Sequence, residues 1–123
     1  MDDGGEKLSM ALEGLMSKFG NDWRAFNEVV AGFPIPARPE LLSPERHEFR
    51  TKFIAEESNE LGRAYASRDM DGVVDAAIDL IYVTVGMLGE MGVLTQPVWD
   101  EVQRANMRKR RGSLSKRPGG GFD

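Results

Sequence analysis

Five carboxylates stand out by residue type and spacing. Glu56, Glu57 and Glu60 lie within the string EESNE, and Asp75 and Asp79 follow on a later segment, four residues apart. At about 100° per residue, with Phe53 set at zero, Glu57 falls near 40° and Glu60 near 340°. That places both inside a stripe formed by Phe49, Ile54, Leu61 and Ala64, with Glu56 at its margin near 300°. On the later segment Asp75 and Asp79 share a side with Tyr82 and Gly86. All five acids are therefore expected to face inward. A Glu-rich helical string is usually a solvated face, and the phase of these residues argues against that. Pairing with Arg50, Lys52 or Arg63 is the other ordinary explanation, yet burying several carboxylates with too few cations costs several kcal/mol per ion. Either the acids share protons at raised pKa or a cation neutralises them. The chain has no Cys and one His, His47, so a metal must sit on oxygen ligands. Such ligands suit Mg²⁺, with Mn²⁺ as a substitute, and Mg²⁺ held by carboxylates commonly also meets substrate phosphates.

Helices are the elements that must position these acids. Ser43-Pro44 reads as an N-cap followed by proline at the first helical position, and a long helix is predicted from Ser43 to about Ser67. Asp69 or Asp71 caps the next, which continues to Gly92; Gln96 or Pro97 opens a last helix reaching Arg110. Upstream, Leu8, Leu12, Leu15, Met16 and Phe19 give an amphipathic helix over Glu6 to Phe19, stopped at Gly20. Asp22 to Val30 repeats the pattern with Trp23, Phe26, Val29 and Val30. The run GFPIPARPELL carries three prolines and is an extended connector. The expected fold is all-α, a four- to five-helix bundle. Residues 1–21 form an N-terminal segment, 22–110 the helical domain, and 111–123 a flexible, basic, glycine-rich tail. Trp23, Phe26, Phe33 and Trp99 are expected as core or interface anchors, with Phe26 or Phe33 as a candidate to stack on a base.

Composition sets the bounds. At 123 residues, 41% hydrophobic and 29% charged, the chain is expected to be one soluble globular domain. Val73 to Val93 is long and apolar enough to imitate a membrane span, but Asp75, Asp79 and Glu90 within it favour a buried helix and no membrane. The same stretch is apolar on nearly every side, which a small bundle cannot cover alone, so a homo-oligomer, most simply a dimer, is expected. The N-terminus MDDGGEK does not read as a signal peptide, which makes the cytoplasm the default location. Residues 104–123 carry seven Lys/Arg against one Asp, hence +6, and the net charge of −4 leaves −10 for residues 1–103. An acidic body disfavours duplex nucleic acid as the main partner.

The strings FIAEESNELGRA, VVDAAIDLIYVTVG and VWDEVQRANMRK resemble the MazG-like and phosphoribosyl-ATP pyrophosphohydrolase-like superfamily of all-α NTP pyrophosphatases, whose hallmark is EExxE on one helix and ExxD on the next. Glu56, Glu57 and Glu60 match the first half and Asp79 the aspartate of the second. Where the pattern has a glutamate this chain has Ala76, and Asp75 is assigned its role. The resemblance implies a bundle of the MazG-like type that hydrolyses an NTP or dNTP between its α and β phosphates, giving a monophosphate and pyrophosphate. Glu56, Glu57, Glu60, Asp75 and Asp79 would hold Mg²⁺, with Glu56 or Glu57 as general base. Asn106 and Lys109 match an NMxK pattern and are expected to contact the nucleotide, and Lys116 and Arg117 to close over its phosphates. The contrasting expectation is a helical nucleic-acid- or partner-binding module that uses the basic tail and shows salt-dependent oligonucleotide binding.

Overall fold

The computed structural model describes residues 18–109, and among them there are four α-helices and no strand. They are α1 (Lys18–Phe26), which runs on into a π-helical turn (Asn27–Ala31), α2 (Pro44–Ala66), α3 (Met70–Glu90) and α4 (Thr95–Met107). The protein is all-α, as its periodicity predicts.

The long helices begin where their capping residues dictate. Ser43 accepts a hydrogen bond from the Arg46 amide at 3.2 Å, with Pro44 in the first turn. Asp69 does the same for Gly72 at 3.0 Å, which resolves the choice between Asp69 and Asp71. Between them lies a tight turn in which Arg68 adopts φ 56°, a left-handed conformation more usual for glycine. Helix α3 stops at Glu90, two residues short of the expected Gly92. Gly92 supplies the left-handed turn instead, with φ 78°. A Cβ there would lie 2.9 Å from the Pro36 carbonyl, so the connector and this turn fit only around a glycine. The last helix starts at Thr95, ahead of Gln96, and ends at Met107 rather than Arg110.

Gly20 does not stop a helix. It is buried within α1, which passes through it, because burial against the bundle outweighs the roughly 1 kcal/mol helix penalty of glycine. The predicted helix from Glu6 lies almost wholly outside the described residues. The chain leaves α1 through Asn27, whose buried side-chain amide bonds both the Phe33 carbonyl and the Phe33 amide at 2.9 Å. Those bonds satisfy backbone groups that the proline-rich connector cannot pair in a ladder.

Helices α2 and α3 form an antiparallel hairpin, and α1 packs on α3. The close approach of α1 is made by Trp23, only 3% exposed, whose indole lies over Gly86 and Gly89 of α3. A Cβ on Gly86 would sit 2.6 Å from Trp23 Nε1 and 2.8 Å from Arg50 Nη1, and one on Gly89 would fall into the indole ring itself. In a free helix Gly→Ala gains about 1 kcal/mol. Here the sign should invert: Gly89→Ala should lower stability by about 1–3 kcal/mol through overpacking, measured by denaturant unfolding.

Trp99 is not a core residue of this chain. It is 63% exposed, with Val98 and Val102 beside it on α4. On α3, Val74, Ile78 and Ile81 are also exposed, because among the described residues the partners of this helix cover only one side of it. By length and composition alone, α3 could cross a membrane.

Candidate active site

Contacts along the hairpin establish its register. Arg46 reaches Glu90, Arg50 lies at Gly86, and Ala64 lies against Gly72. Carried to the middle of the hairpin, this register sets Glu57 of α2 opposite Asp79 of α3, and Glu60 opposite Ala76, beside Asp75. Of the five predicted acids, Glu57 and Asp79 are half-buried, while Glu56, Glu60 and Asp75 are exposed. The expectation that all five face inward is thus corrected. The buried face of α2 is centred nearer to Arg50 and Leu61 than to Phe53, which leaves Glu56 and Glu60 on its rim.

Glu57 is the centre of the group. Its Oε2 is buried and, among the described residues, has no hydrogen-bond partner. Its carboxyl is held above the ordinary value first by desolvation and then by the negative charges of Glu60 and Asp79. Glu60 also lies near enough to share a proton with it, and Asp75 adds a smaller push. Glu56 is not among these neighbours. No described ion pair relieves the crowding: Arg50 turns to Glu90 and Lys52 to Glu48. The explanation by salt bridges from Arg50 or Lys52 therefore fails at both residues.

Among the described residues no three acids already stand as a closed metal-ligating set. The donor chemistry nevertheless fits a hard cation: an unpartnered, desolvated carboxylate oxygen surrounded by three further carboxylates and no described cation. A raised carboxyl pKa also has a direct consequence for stability. Without metal, the contribution of Glu57 to stability should be fully present below the usual glutamate range and be lost as pH rises from there through its raised value. Glu57→Gln cannot ionise, so at neutral pH and with chelator present it should melt higher than the parent in a thermal scan, with a flatter pH profile.

The other predicted residues fall apart spatially or lie beyond view. Asn106 is exposed and Lys109 half-buried at the far end of α4, a helix with little packing on the others. Lys116 and Arg117 lie outside the described residues. A hollow of about 460 Å³ opens between Trp23, Pro36, Gly89, Leu94, Pro97 and Val98, but among the described residues no acid lines it. It lies at the open end of the hairpin, away from the carboxylates at its middle, and phosphate chemistry belongs where the charge is gathered.

One cluster escaped the sequence reading. Glu90, 5% exposed, accepts hydrogen bonds from Arg46 at 2.9 and 2.6 Å and from Arg50 at 3.2 and 3.0 Å. The Arg46 guanidinium also lies over the rings of Phe33 and Phe49, at 4.3 and 4.6 Å from their centroids. An isolated acid in the apolar run IYVTVGMLGEM was the available signal, since such a residue is buried only when paired. Its partners could not be read from it, because they lie 40 and 44 residues away.

No curated protein matches the chain at a significant level. Residues 24–106 match the family described as phosphoribosyl-ATP pyrophosphohydrolase, a span that runs from α1 to α4 and contains every acid of the cluster. The match covers well over half of the sequence, and the helix pair that gathers the carboxylates lies wholly within it. The chain therefore belongs to the phosphoribosyl-ATP pyrophosphohydrolase family, within the MazG-like all-α NTP pyrophosphatase superfamily, and is a pyrophosphohydrolase, a hydrolase acting on acid anhydrides.

Proposed function

We propose that the protein is a Mg²⁺-dependent nucleoside triphosphate pyrophosphohydrolase that converts an NTP or dNTP of the cytoplasmic pool to its monophosphate and pyrophosphate. The observation that carries this reading is the unpartnered Glu57 Oε2, beside Glu60, Asp79 and Asp75, whose negative charges oppose the ionisation of Glu57. Glu57, Glu60, Asp75 and Asp79 would hold the cation. When bound, it would neutralise phosphate charge and lower the pKa of the attacking water. Glu56, exposed and outside the coupled group, is left to take the proton from that water. Rigid antiparallel helices suit the task, because phosphoryl chemistry depends mainly on positioning and charge neutralisation. Asn106, Lys109, Lys116 and Arg117 are retained as proposed contacts to the nucleotide.

A panel of NTPs, dNTPs and phosphoribosyl-ATP with Mg²⁺, assayed separately for pyrophosphate and orthophosphate, tests the proposal. Pyrophosphate should be the first product, and turnover should cease with chelator. Orthophosphate as first product, or no turnover across the panel, would end this reading.

The working unit is proposed to be a homo-oligomer, most simply a dimer. Val74 is 50% exposed, Ile78 57% and Trp99 63%, a large apolar surface for a soluble chain of this size. Light scattering at micromolar concentration should give a multiple of the 13.7 kDa chain mass. A monomer would contradict it.

A further inference from the structure

Two aromatic side chains stand beside the acids without belonging to them. Phe26 ends α1, and Tyr82 lies one turn beyond Asp79 on α3. Their rings meet edge to face, with centroids 5.9 Å apart and planes at 80°. Packing of α1 on α3 brings them together, yet Phe26 remains 41% and Tyr82 39% exposed. An edge-to-face contact occupies the edge of one ring and one face of the other, so flat ring surface is left open to solvent. On the helical wheel Tyr82 falls within about 20° of Asp75 and 60° of Asp79, and its Cα is displaced about 4.5 Å along the axis from that of Asp79.

Phe33, Phe49 and Tyr65 are already engaged, and Trp99 is on α4, away from the α2–α3 pair that carries the acids. Phe33 lies beneath the guanidiniums of Arg46 and Arg50, Phe49 beneath Arg46 and against Phe53, and Tyr65 beneath Arg68. The choice that sequence leaves open between Phe26 and Phe33 is thereby narrowed by geometry.

Resting on the proposed nucleotide substrate, we propose that the Phe26–Tyr82 pair is the platform on which the nucleobase stacks while the acids and their cation hold the polyphosphate. A nucleotide carries its charge at one end and a flat aromatic system at the other. The middle of the hairpin presents a carboxylate group and an open aromatic pair in that order along α3. Stacking reads the area of a base rather than its hydrogen-bonding edge, so purine nucleotides should bind better than pyrimidine nucleotides, with little discrimination within each class.

Steady-state kinetics of the full chain tests this, using a nucleotide that the parent turns over and inorganic tripolyphosphate as a competitive probe of the acids alone. Phe26→Leu and Tyr82→Ala should each raise KM on the order of 10-fold, with kcat changed far less. Tyr82→Phe, which keeps a ring, should recover most of the KM lost in Tyr82→Ala. Inhibition by tripolyphosphate should be equally strong in all of them. Unchanged KM in both ring-deleting variants overturns the proposal. So does a KM rise matched by an equal loss of tripolyphosphate inhibition, which indicates general damage to the site. Dissociation of the oligomer with KM unchanged at high protein concentration assigns the pair to a subunit interface instead. If the parent turns over no nucleotide, the proposed function itself falls and takes this inference with it, a result visible before any variant is made.

Discussion

Glu90→Ala should destabilise the protein by about 3–5 kcal/mol, a large share of the roughly 5–15 kcal/mol that holds an ordinary domain together. The substitution leaves Arg50, 6% exposed, without the carboxylate that compensates its buried charge. It also releases Arg46, whose guanidinium ties the start of α2 to the end of α3. Breaking one side of a buried pair costs far more than the pair contributes as a whole. The double variant Arg50→Met with Glu90→Met should therefore be less destabilised than Glu90→Ala alone, when both are unfolded in urea. The pH dependence follows from the direction of the Glu90 shift. Hydrogen bonds from Arg46 hold its carboxyl below the ordinary value, against the opposing effect of burial, and Arg50 adds to them. Its contribution is thus fully present above the usual glutamate range and is lost as pH falls through the depressed folded value. The parent should show this acid-side loss and Glu90→Ala should lack it. A cost below about 1 kcal/mol would mean that the Arg46–Arg50–Glu90 cluster is surface decoration.

Asp79→Asn should reduce pyrophosphohydrolase turnover on the order of 10²–10³-fold, as expected when a fixed charge is removed from a site that works by electrostatics. The half-buried Asp79 lies opposite Glu57, and no described residue can replace it in that register. Asp75→Asn should have an effect of the same order. Ala76, at the position where the superfamily carries a glutamate, is 3% exposed in the seam between α2 and α3. The seam therefore lacks a carboxylate at that position, and Asp75, the neighbouring residue on α3, is the one assigned to serve. The electrostatic reach of Asp75 to Glu57 supports that role, although it is weaker than that of Asp79. Folding should survive both changes, because each removes like-charge repulsion from the metal-free site. In chelator, neither variant should melt below the parent. Near-parental turnover by Asp75→Asn would show it to be a bystander and leave the site to Glu57, Glu60 and Asp79.

Much of this protein is written locally. Ser43-Pro44 and Asp69 start the two long helices wherever they are placed, because a cap is a hydrogen bond between residues three apart in sequence. The spacing of EESNE and of Asp75 and Asp79 likewise puts acids at neighbouring helical phases without reference to the rest of the chain. Helix type, approximate boundaries and the identity of the acidic residues were legible for that reason. Gly20 shows where local signals mislead: the same residue that ends a helix in one setting is carried through by burial in another. Only tertiary structure decided the rest. The phase of α2 against α3 made Glu57 the desolvated, unpartnered acid and left Glu56 on the rim. The same register drew Arg46 and Arg50 to Glu90 and away from the acids beside them in sequence. Helix α1 seated Trp23 in a notch that exists only because Gly86 and Gly89 lack side chains. Each of these outcomes depends on the relative rotation of two helices, and a one-dimensional pattern carries the rotation of one helix at a time.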